Sequence, residues 1–294
     1  MQQSENDILR RVRKIEIKTR GLSNEIFAGK YHTAFRGRGM SFSEVREYRI
    51  GDDVRDIDWN VTARSSKPHI KIYEEERELT MMLVVDVSGS RGFGTTERMK
   101  QNVITEIAAV LAFSAAQNND KVGCIFFSDR VEKFIPPKKG KSHILMIIRE
   151  LISFQPESSR TSISEAVRFL TGVSKKRCTT FILSDFMNSR RDKAALEDAL
   201  KIAGSKHDLV GIRVWDRREA ELPDVGIIEL EDAETGRKEW VDTSSARVRE
   251  HYAQSWAQRN EEVEELLKRN RIDSAMISTE GDYVAELIKL FKQR

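Results

Sequence analysis

Three oxygen-bearing side chains follow one strongly apolar segment of the chain. Residues Met81–Val85 are all hydrophobic, as expected for a central strand of a parallel sheet that is buried on both faces. Asp86, Ser88 and Ser90 come directly after it, separated by single residues. Ligands of open α/β sheets lie outside the carboxyl ends of the strands. Converging carboxylate and hydroxyl oxygens suit Mg²⁺, with Mn²⁺ or Ca²⁺ as alternatives, so this segment indicates a candidate metal site.

Two residues from distant parts of the chain are expected to join this site. Asp185 follows a predicted strand at 179–183, which we expect to lie beside the first strand where the strand order reverses. Thr161 begins a predicted helix at the same edge of the sheet. Two carboxylates crowded together repel each other unless a cation neutralises them. The combined set of Asp86, Ser88, Ser90, Thr161 and Asp185 therefore predicts a divalent cation.

The elements that must position these residues alternate between strands and helices from residue 79 onward. This pattern predicts an α/β fold of the doubly wound type, a mostly parallel sheet flanked by helices. Val131–Ile135 is expected to be an antiparallel edge strand that ends at Pro136. The predicted strands are 79–87, 121–128, 179–183, 209–215 and 273–278, with helices at 97–117, 142–153, 161–170, 193–203, 246–270 and 282–291 and a hairpin at 226–241.

The first 78 residues lack the strand–helix alternation of the rest of the chain, which predicts a separate N-terminal segment. We expect residues 1–78 to form a small subdomain that docks on an α/β domain at 79–294, because so short a segment has little core of its own. Its acidic loop, between Asp52 and Asp58, lacks the glycine and terminal glutamate of an EF-hand. Ion pairs with neighbouring arginines are therefore favoured over calcium binding.

Composition excludes several classes of protein. The 294 residues carry 50 basic and 47 acidic side chains, and this net charge of +3 does not favour nucleic-acid binding. No apolar stretch is long enough to span a bilayer, and the amino terminus lacks the layout of a secretion signal. Cys124 falls within a predicted buried strand and Cys178 directly precedes another, as expected for buried free thiols in a reducing compartment. These features together predict a cytoplasmic protein.

The order and context of the candidate ligands resemble the metal-ion-dependent adhesion site (MIDAS) of von Willebrand factor A (vWA) domains. The resemblance implies that Ser88 and Ser90 bind the ion directly and that Thr161 binds it directly or through water. It also implies that Asp86 and Asp185 orient bound waters. One coordination position is then left for an Asp or Glu from a protein partner.

Several further motifs resemble the bacterial "domain of unknown function 58" family. This resemblance covers nearly the whole chain, and it implies a role as an adaptor beside a MoxR-type AAA+ ATPase, in the assembly or maturation of other proteins. The 294 residues contain no Walker-type phosphate loop, so an ATP-driven step would belong to that partner. The motifs are Gly37–Phe42, Val45–Tyr48, Gly51–Trp59, Ala63-Arg64, Leu222–Gly226 and Asp232–Gly236.

The sequence thus predicts a non-enzymatic protein-binding module that depends on a divalent cation and has no catalytic residues. The alternative is a metal-dependent hydrolase that uses the same acidic and hydroxyl groups. A phosphatase with an aspartyl nucleophile needs a second Asp where Ser88 stands, and no Gly-x-Ser-x-Gly motif is present. The five histidines have no spacing suited to chelating zinc.

Overall fold

The computed structural model describes residues 10, 12–16, 41–65, 67–74, 79–89, 99–187, 193–232 and 236–294. They divide into two compact units. The smaller lies within Phe35–Leu79, and the larger comprises Thr80–Arg294 and the helical stretch at 12–16. That residues 1–78 form one docking segment stays a prediction.

The smaller unit is built on an antiparallel pair of strands, β1 (Ser41–Glu47) and β2 (His69–Glu74). The connection between them contains a 3₁₀ turn at Val54–Asp56 and the short helix α1 (Trp59–Thr62). The side chain of Asp58 caps α1 by accepting hydrogen bonds from two backbone N–H groups. Aspartate is among the residues preferred at such caps.

The acidic loop of the smaller unit is held by protein contacts. Asp52 accepts two hydrogen bonds from the Arg46 guanidinium, at 2.7 and 2.8 Å. These bonds hold the pKa of Asp52 below its ordinary value. Asp53 caps the 3₁₀ turn, and Asp58 lies 3.5 Å from the Lys71 ammonium. The loop therefore uses its carboxylates for ion pairs and caps, as the sequence suggested.

The larger unit contains a six-stranded sheet in the order β10-β7-β6-β3-β4-β5. Every neighbouring pair is parallel except β4 and β5, so the predicted doubly wound, mostly parallel fold is confirmed. A separate antiparallel hairpin follows β7. The strands are β3 (Thr80–Asp86), β4 (Lys121–Phe127), β5 (Val131–Lys138), β6 (Thr179–Ser184), β7 (Asp208–Trp215), β8 (Ile227–Glu231), β9 (Lys238–Asp242) and β10 (Asp273–Ser278).

Helices cover both faces of this sheet. Met82 and Val84 of β3 pack in a core cluster with residues of α4, α5 and α7. On the other face, the ring of Phe181 meets that of Phe291 in α8, with centroids 6.2 Å apart. Among the described residues, no helix combines the length and apolarity needed to cross a membrane. The helices are α2 (Lys100–Gln117), α3 (Lys141–Ser153), α4 (Ile163–Val173), α5 (Lys193–Lys206), α6 (Arg217–Ala220), α7 (Ala246–Arg269) and α8 (Tyr283–Gln293).

The edge strand β5 corrects one prediction. It does not end at Pro136 but continues through both prolines to Lys138, which pairs with Val122 of β4. Proline cannot donate a ladder hydrogen bond, but an edge strand has one side without a neighbour. The pairing is irregular between Val122 and Cys124, where the prolines are accommodated.

Gly123 of β4 shows how tightly this side of the sheet is packed. A Cβ atom at Gly123 would lie 2.7 Å from the Met82 Sδ atom and 3.0 Å from the Ile135 carbonyl oxygen. A Cβ at Gly172 of α4 would meet nothing within 4 Å. The first glycine is required by packing, whereas the second is not.

We therefore expect opposite effects from two Gly→Ala substitutions. Gly123→Ala overpacks the sheet and should lower the free energy of unfolding by about 1–3 kcal/mol. Gly172→Ala adds a better helix former in open space and should raise it by about 0.5–1 kcal/mol. Urea denaturation of both variants checks this. Equal stability of the two proteins would contradict the packing described for β4.

Candidate metal centre

Asp86 ends β3, and its buried carboxylate accepts a hydrogen bond on each oxygen. Its Oδ1 accepts a hydrogen bond from the Ser88 backbone N–H at 2.9 Å, and its Oδ2 accepts one from the Ser184 hydroxyl at 2.6 Å. The residue is 2% exposed. Burial, and then the charge of Asp185, raise the pKa of Asp86 to about 6. A nearby positive charge would relieve both effects.

The loop after β3 is tied to two neighbouring segments. The backbone N–H of Val87 donates to the Phe127 carbonyl at 2.8 Å, and that of Gly89 donates to the Ser159 carbonyl at 3.0 Å. Ser88, between them, is 2% exposed. Ser90 lies outside the described residues. The loop is thus fixed beside the segment that carries Thr161.

Thr161 has a buried hydroxyl group to which none of the described residues is hydrogen-bonded. The residue is 6% exposed, and its Oγ1 has no hydrogen-bond partner among the described residues. A buried polar group without a partner costs about 1–3 kcal/mol. Such an atom requires an explanation, and a ligand that the hydroxyl binds is one.

Glu132 fixes the loop before Thr161 and was missed in the sequence. Its Oε1 accepts hydrogen bonds from the Ser128 hydroxyl at 2.7 Å and from the backbone N–H groups of Glu157 and Ser158 at 3.2 and 3.3 Å. The Glu132 side chain is only 4% exposed. One buried carboxylate thereby joins β5 to the loop that positions Thr161.

Asp185 comes directly after β6, which pairs with β3 as predicted. Its Oδ1 accepts a hydrogen bond from the Met187 backbone N–H at 2.9 Å, and it is 7% exposed. The next residue, Phe186, has a φ of 59°. A left-handed backbone is uncommon for an aromatic residue and costs on the order of 1–3 kcal/mol. The local chain is therefore held in a strained turn beside Asp185.

A buried lysine contacts Asp185 and was also missed in the sequence. The Lys100 ammonium lies 2.9 Å from Asp185 Oδ2 and 2.5 Å from Glu219 Oε1, and its side chain is 1% exposed. Burial acts to lower the pKa of Lys100, but the two carboxylate charges outweigh it and raise the pKa. The other oxygen of Glu219 accepts the Asp216 backbone N–H at 2.9 Å, within a capping box that begins α6. Lys100 thus links Asp185 to the loop after β7.

A signal for Lys100 was present in the sequence. It lies on the same helical stripe as Val103, Ile104 and Ile107, all of which are buried. A charged residue on an apolar stripe must find a partner inside the protein. Glu132 gave no comparable signal, because polar residues are ordinary on edge strands.

The donor set of this centre fits a hard divalent cation. The predicted ligands that lie among the described residues are two carboxylates, of Asp86 and Asp185, and two hydroxyls, of Ser88 and Thr161. Within the described part of the chain, no three His, Cys, Asp or Glu side chains form a metal-binding group, so hydroxyls would have to complete the coordination. The unpartnered Oγ1 of Thr161 meets that requirement.

Comparison with known proteins places the chain in a family. Residues 44–262 match the sequence profile of DUF58, described as a protein of unknown function. The chain belongs to the DUF58 family. The resemblance drawn from its motifs is therefore confirmed.

This DUF58 protein also matches individual proteins. The uncharacterized protein Rv1480 of Mycobacterium tuberculosis is 27% identical over 287 residues, which cover 96% of this chain and 88% of that protein. The crystal structure of the conserved hypothetical protein BatB from Bacteroides thetaiotaomicron has 15% identity and a TM-score of 0.48, covering 73% of this chain and 98% of that one. The SpRpn10 VWA domain has 9% identity and a TM-score of 0.41, covering 74% and 96%. These structural similarities concern the fold and assign no ligand.

The Lys100 ion pairs of this DUF58 protein give a stability prediction. Lys100→Met leaves the buried carboxylate of Asp185 and the partly buried carboxylate of Glu219 without their cation, so the free energy of unfolding should fall by about 3–5 kcal/mol. In the Lys100→Met/Glu219→Gln double variant, part of this loss should return, because one uncompensated charge is gone. Guanidinium denaturation without divalent cations measures both effects.

The ion pair of Lys193 and Glu262 is a matched control at the surface. Its Nζ and Oε2 atoms are 2.8 Å apart, and the two side chains are 50% and 45% exposed. Lys193→Met should change stability by less than about 1 kcal/mol. Similar losses for Lys100→Met and Lys193→Met would show that the buried ammonium has no special role.

Proposed function

We propose that this protein is a non-enzymatic binding module that holds a divalent cation, Mg²⁺, and uses it to capture an acidic side chain of a protein partner. The proposed ligands are Asp86, Ser88, Ser90, Thr161 and Asp185. Ser90 is included among these ligands only because of the Asp-x-Ser-x-Ser pattern in the sequence. Mn²⁺ and Ca²⁺ remain alternatives to Mg²⁺, since both also accept oxygen ligands.

The buried, unpartnered hydroxyl of Thr161 is the observation that carries this proposal. Its loop is hydrogen-bonded to the Asp86–Ser88 loop through Gly89 and Ser159, at 3.0 Å. A buried hydroxyl whose loop is hydrogen-bonded to the loop that follows Asp86 favours a cation, because a cation binds both hydroxyl and carboxylate oxygens.

The residues of the centre have different tasks in this proposal. The hydrogen bonds from Ser184 and from the Ser88 backbone fix the orientation of the Asp86 carboxylate. Lys100 occupies one oxygen of Asp185, which favours a role for Asp185 through water rather than direct coordination. When bound, the ion supplies a positively charged coordination position that a carboxylate oxygen of the partner can fill.

A cysteine nucleophile is disfavoured by the state of the pair formed by Cys178 and His207. Cys178 Sγ lies 3.3 Å from His207 Nδ1, a contact that could in principle activate a thiol. Burial raises the pKa of Cys178 and lowers that of His207, which keeps both groups neutral. An activated cysteine shows the opposite shift, toward thiolate.

The partner we propose is a MoxR-type AAA+ ATPase, as membership of the DUF58 family implies. The chain would act as an adaptor that presents other proteins to the ATPase during assembly or maturation. A charged contact at the ion gives such an interaction direction and specificity, while ordinary packing around it supplies affinity.

Thr161→Val tests the metal centre with two readouts of opposite sign. Valine keeps the shape but removes the unpartnered hydroxyl, so the metal-free protein should gain about 1 kcal/mol of stability. The same change should weaken Mg²⁺ binding at least tenfold in isothermal titration calorimetry.

Thr279→Val is the matched control. The Thr279 hydroxyl is buried but donates to Asp216 at 2.8 Å, so its loss should lower stability by about 1–3 kcal/mol and leave Mg²⁺ affinity unchanged. Absence of Mg²⁺ binding by the unaltered protein, or equal affinity in Thr161→Val, would refute the proposed centre.

The partner can be tested with purified MoxR-type ATPase from the same organism. Chelators are unsuitable because the ATPase itself needs Mg²⁺ with its nucleotide, so Mg²⁺ is kept constant and the variants are compared. We expect Thr161→Val to bind the ATPase at least tenfold more weakly than the unaltered protein in biolayer interferometry, and Thr279→Val to bind it normally. Equal binding by all three proteins would exclude the ion from the interface, and no binding by any would exclude this partner.

A further inference from the structure

A cavity lies at the edge of the sheet opposite to the candidate metal centre. It has a volume of about 560 Å³ and is lined by residues at the amino ends of β6, β7 and β10, including Arg177, His207 and Ile272. Cavities of about 300–1,000 Å³ hold small molecules. This cavity is independent of the proposed metal-dependent function.

Positive charge predominates in this cavity. Four cationic side chains line it, those of Arg177, Lys201, Arg269 and Arg271. Of the two acidic residues, Glu197 and Asp208, the second already forms an ion pair with Arg294. Within the described residues, Arg177, Lys201 and Arg271 have no carboxylate within salt-bridge distance, so their charge is available to a ligand.

His207 adds a buried hydrogen-bonding atom without a partner. The residue is 2% exposed, and its Nε2 makes no hydrogen bond within the described structure. Its Nδ1 lies 3.3 Å from the thiol of Cys178. Burial raises the pKa of Cys178, which keeps the thiol protonated, and we take this thiol as the donor to Nδ1. The imidazole proton then lies on Nε2, which becomes a donor in need of an acceptor.

We propose that this cavity binds a phosphate-bearing small molecule, with His207 Nε2–H donating to a phosphate oxygen and Arg177, Lys201 and Arg271 supplying the positive charge. Phosphate oxygens accept hydrogen bonds from several donors at once, and one guanidinium group can donate two parallel hydrogen bonds to a phosphate. A carboxylate or neutral ligand would use fewer of these donors. The chain would then bind a cation at one edge of the sheet and a phosphate at the other.

Calorimetry with three probes tests this proposal: inorganic phosphate, pyrophosphate and adenosine monophosphate. EDTA is present throughout, so that no divalent cation can bring phosphate to the metal centre. We expect at least one probe to bind, with affinity reduced at least tenfold in His207→Phe and about threefold or more in Lys201→Gln. His207→Gln, which retains a donor N–H, should recover part of the loss.

The control is Lys289→Gln, an exposed lysine of α8 that does not line the cavity. It should bind the probe like the unaltered protein. Circular dichroism checks that His207→Phe is folded, and if it is not, Lys201→Gln decides. Absence of binding by all three probes, or equal loss in Lys201→Gln and Lys289→Gln, would overturn the proposal.

A spectroscopic measurement tests the donor directly. Long-range ¹H–¹⁵N correlation spectra should show His207 as the neutral tautomer protonated at Nε2, with a resonance assigned by its loss in His207→Gln. Addition of the bound probe should shift this nitrogen and leave the signals of His251 in place. A proton on Nδ1 instead of Nε2 would overturn the assigned role of His207.

Discussion

The repulsion between two buried carboxylates is the constraint on which this fold's functional edge depends. Asp86 and Asp185 follow neighbouring parallel strands, so the pairing of β3 with β6 brings them together whatever else the chain does. The pKa of Asp86 is raised because its charged form has a free-energy cost, which comes first from burial and then from the charge of Asp185. The protein reduces this cost with hydrogen bonds to Asp86 and with the Lys100 ammonium on Asp185. The protein's own groups therefore balance part of the charge at this edge of the sheet.

This internal compensation would distinguish the proposed centre from a structural metal site. Small metal-binding domains often unfold without their ion, because the ligands repel each other or have no other partners. Here the Lys100 ammonium contacts both Asp185 and Glu219, and Glu219 lies in α6, directly after β7. The strained Phe186 backbone is retained because its neighbours on both sides accept or donate hydrogen bonds. Only Thr161 Oγ1 among the proposed ligands described here is left unsatisfied.

The hydrophobic pattern of the sequence was enough to predict the sheet and the meeting of Asp86 with Asp185. A fully apolar run has few places other than the centre of a parallel sheet, and the carboxyl ends of such strands share one edge. The partners Lys100 and Glu219 could not be predicted with the same ease, since 119 positions separate them and only the folded chain defines their contact. The strand through Pro136 was predicted wrongly although its edge position was expected. A proline ends an edge strand only where its missing N–H would face the neighbouring strand, and local sequence does not determine that register.

The charges around the centre explain why an acidic partner suits the proposed site. Asp86, Asp185 and Glu219 are negative, whereas Lys100 is positive. Arg213 interacts through space first with Glu264, which already pairs with Lys268, and then with Asp185. The three negative and two positive groups leave a net charge of about −1, less than a divalent cation carries. A site that fully neutralised its ion would have little attraction for a further carboxylate. Because Lys100 and Arg213 cancel part of the negative charge, a bound divalent ion would retain positive charge toward solvent, where only an anionic group could complete the neutralisation.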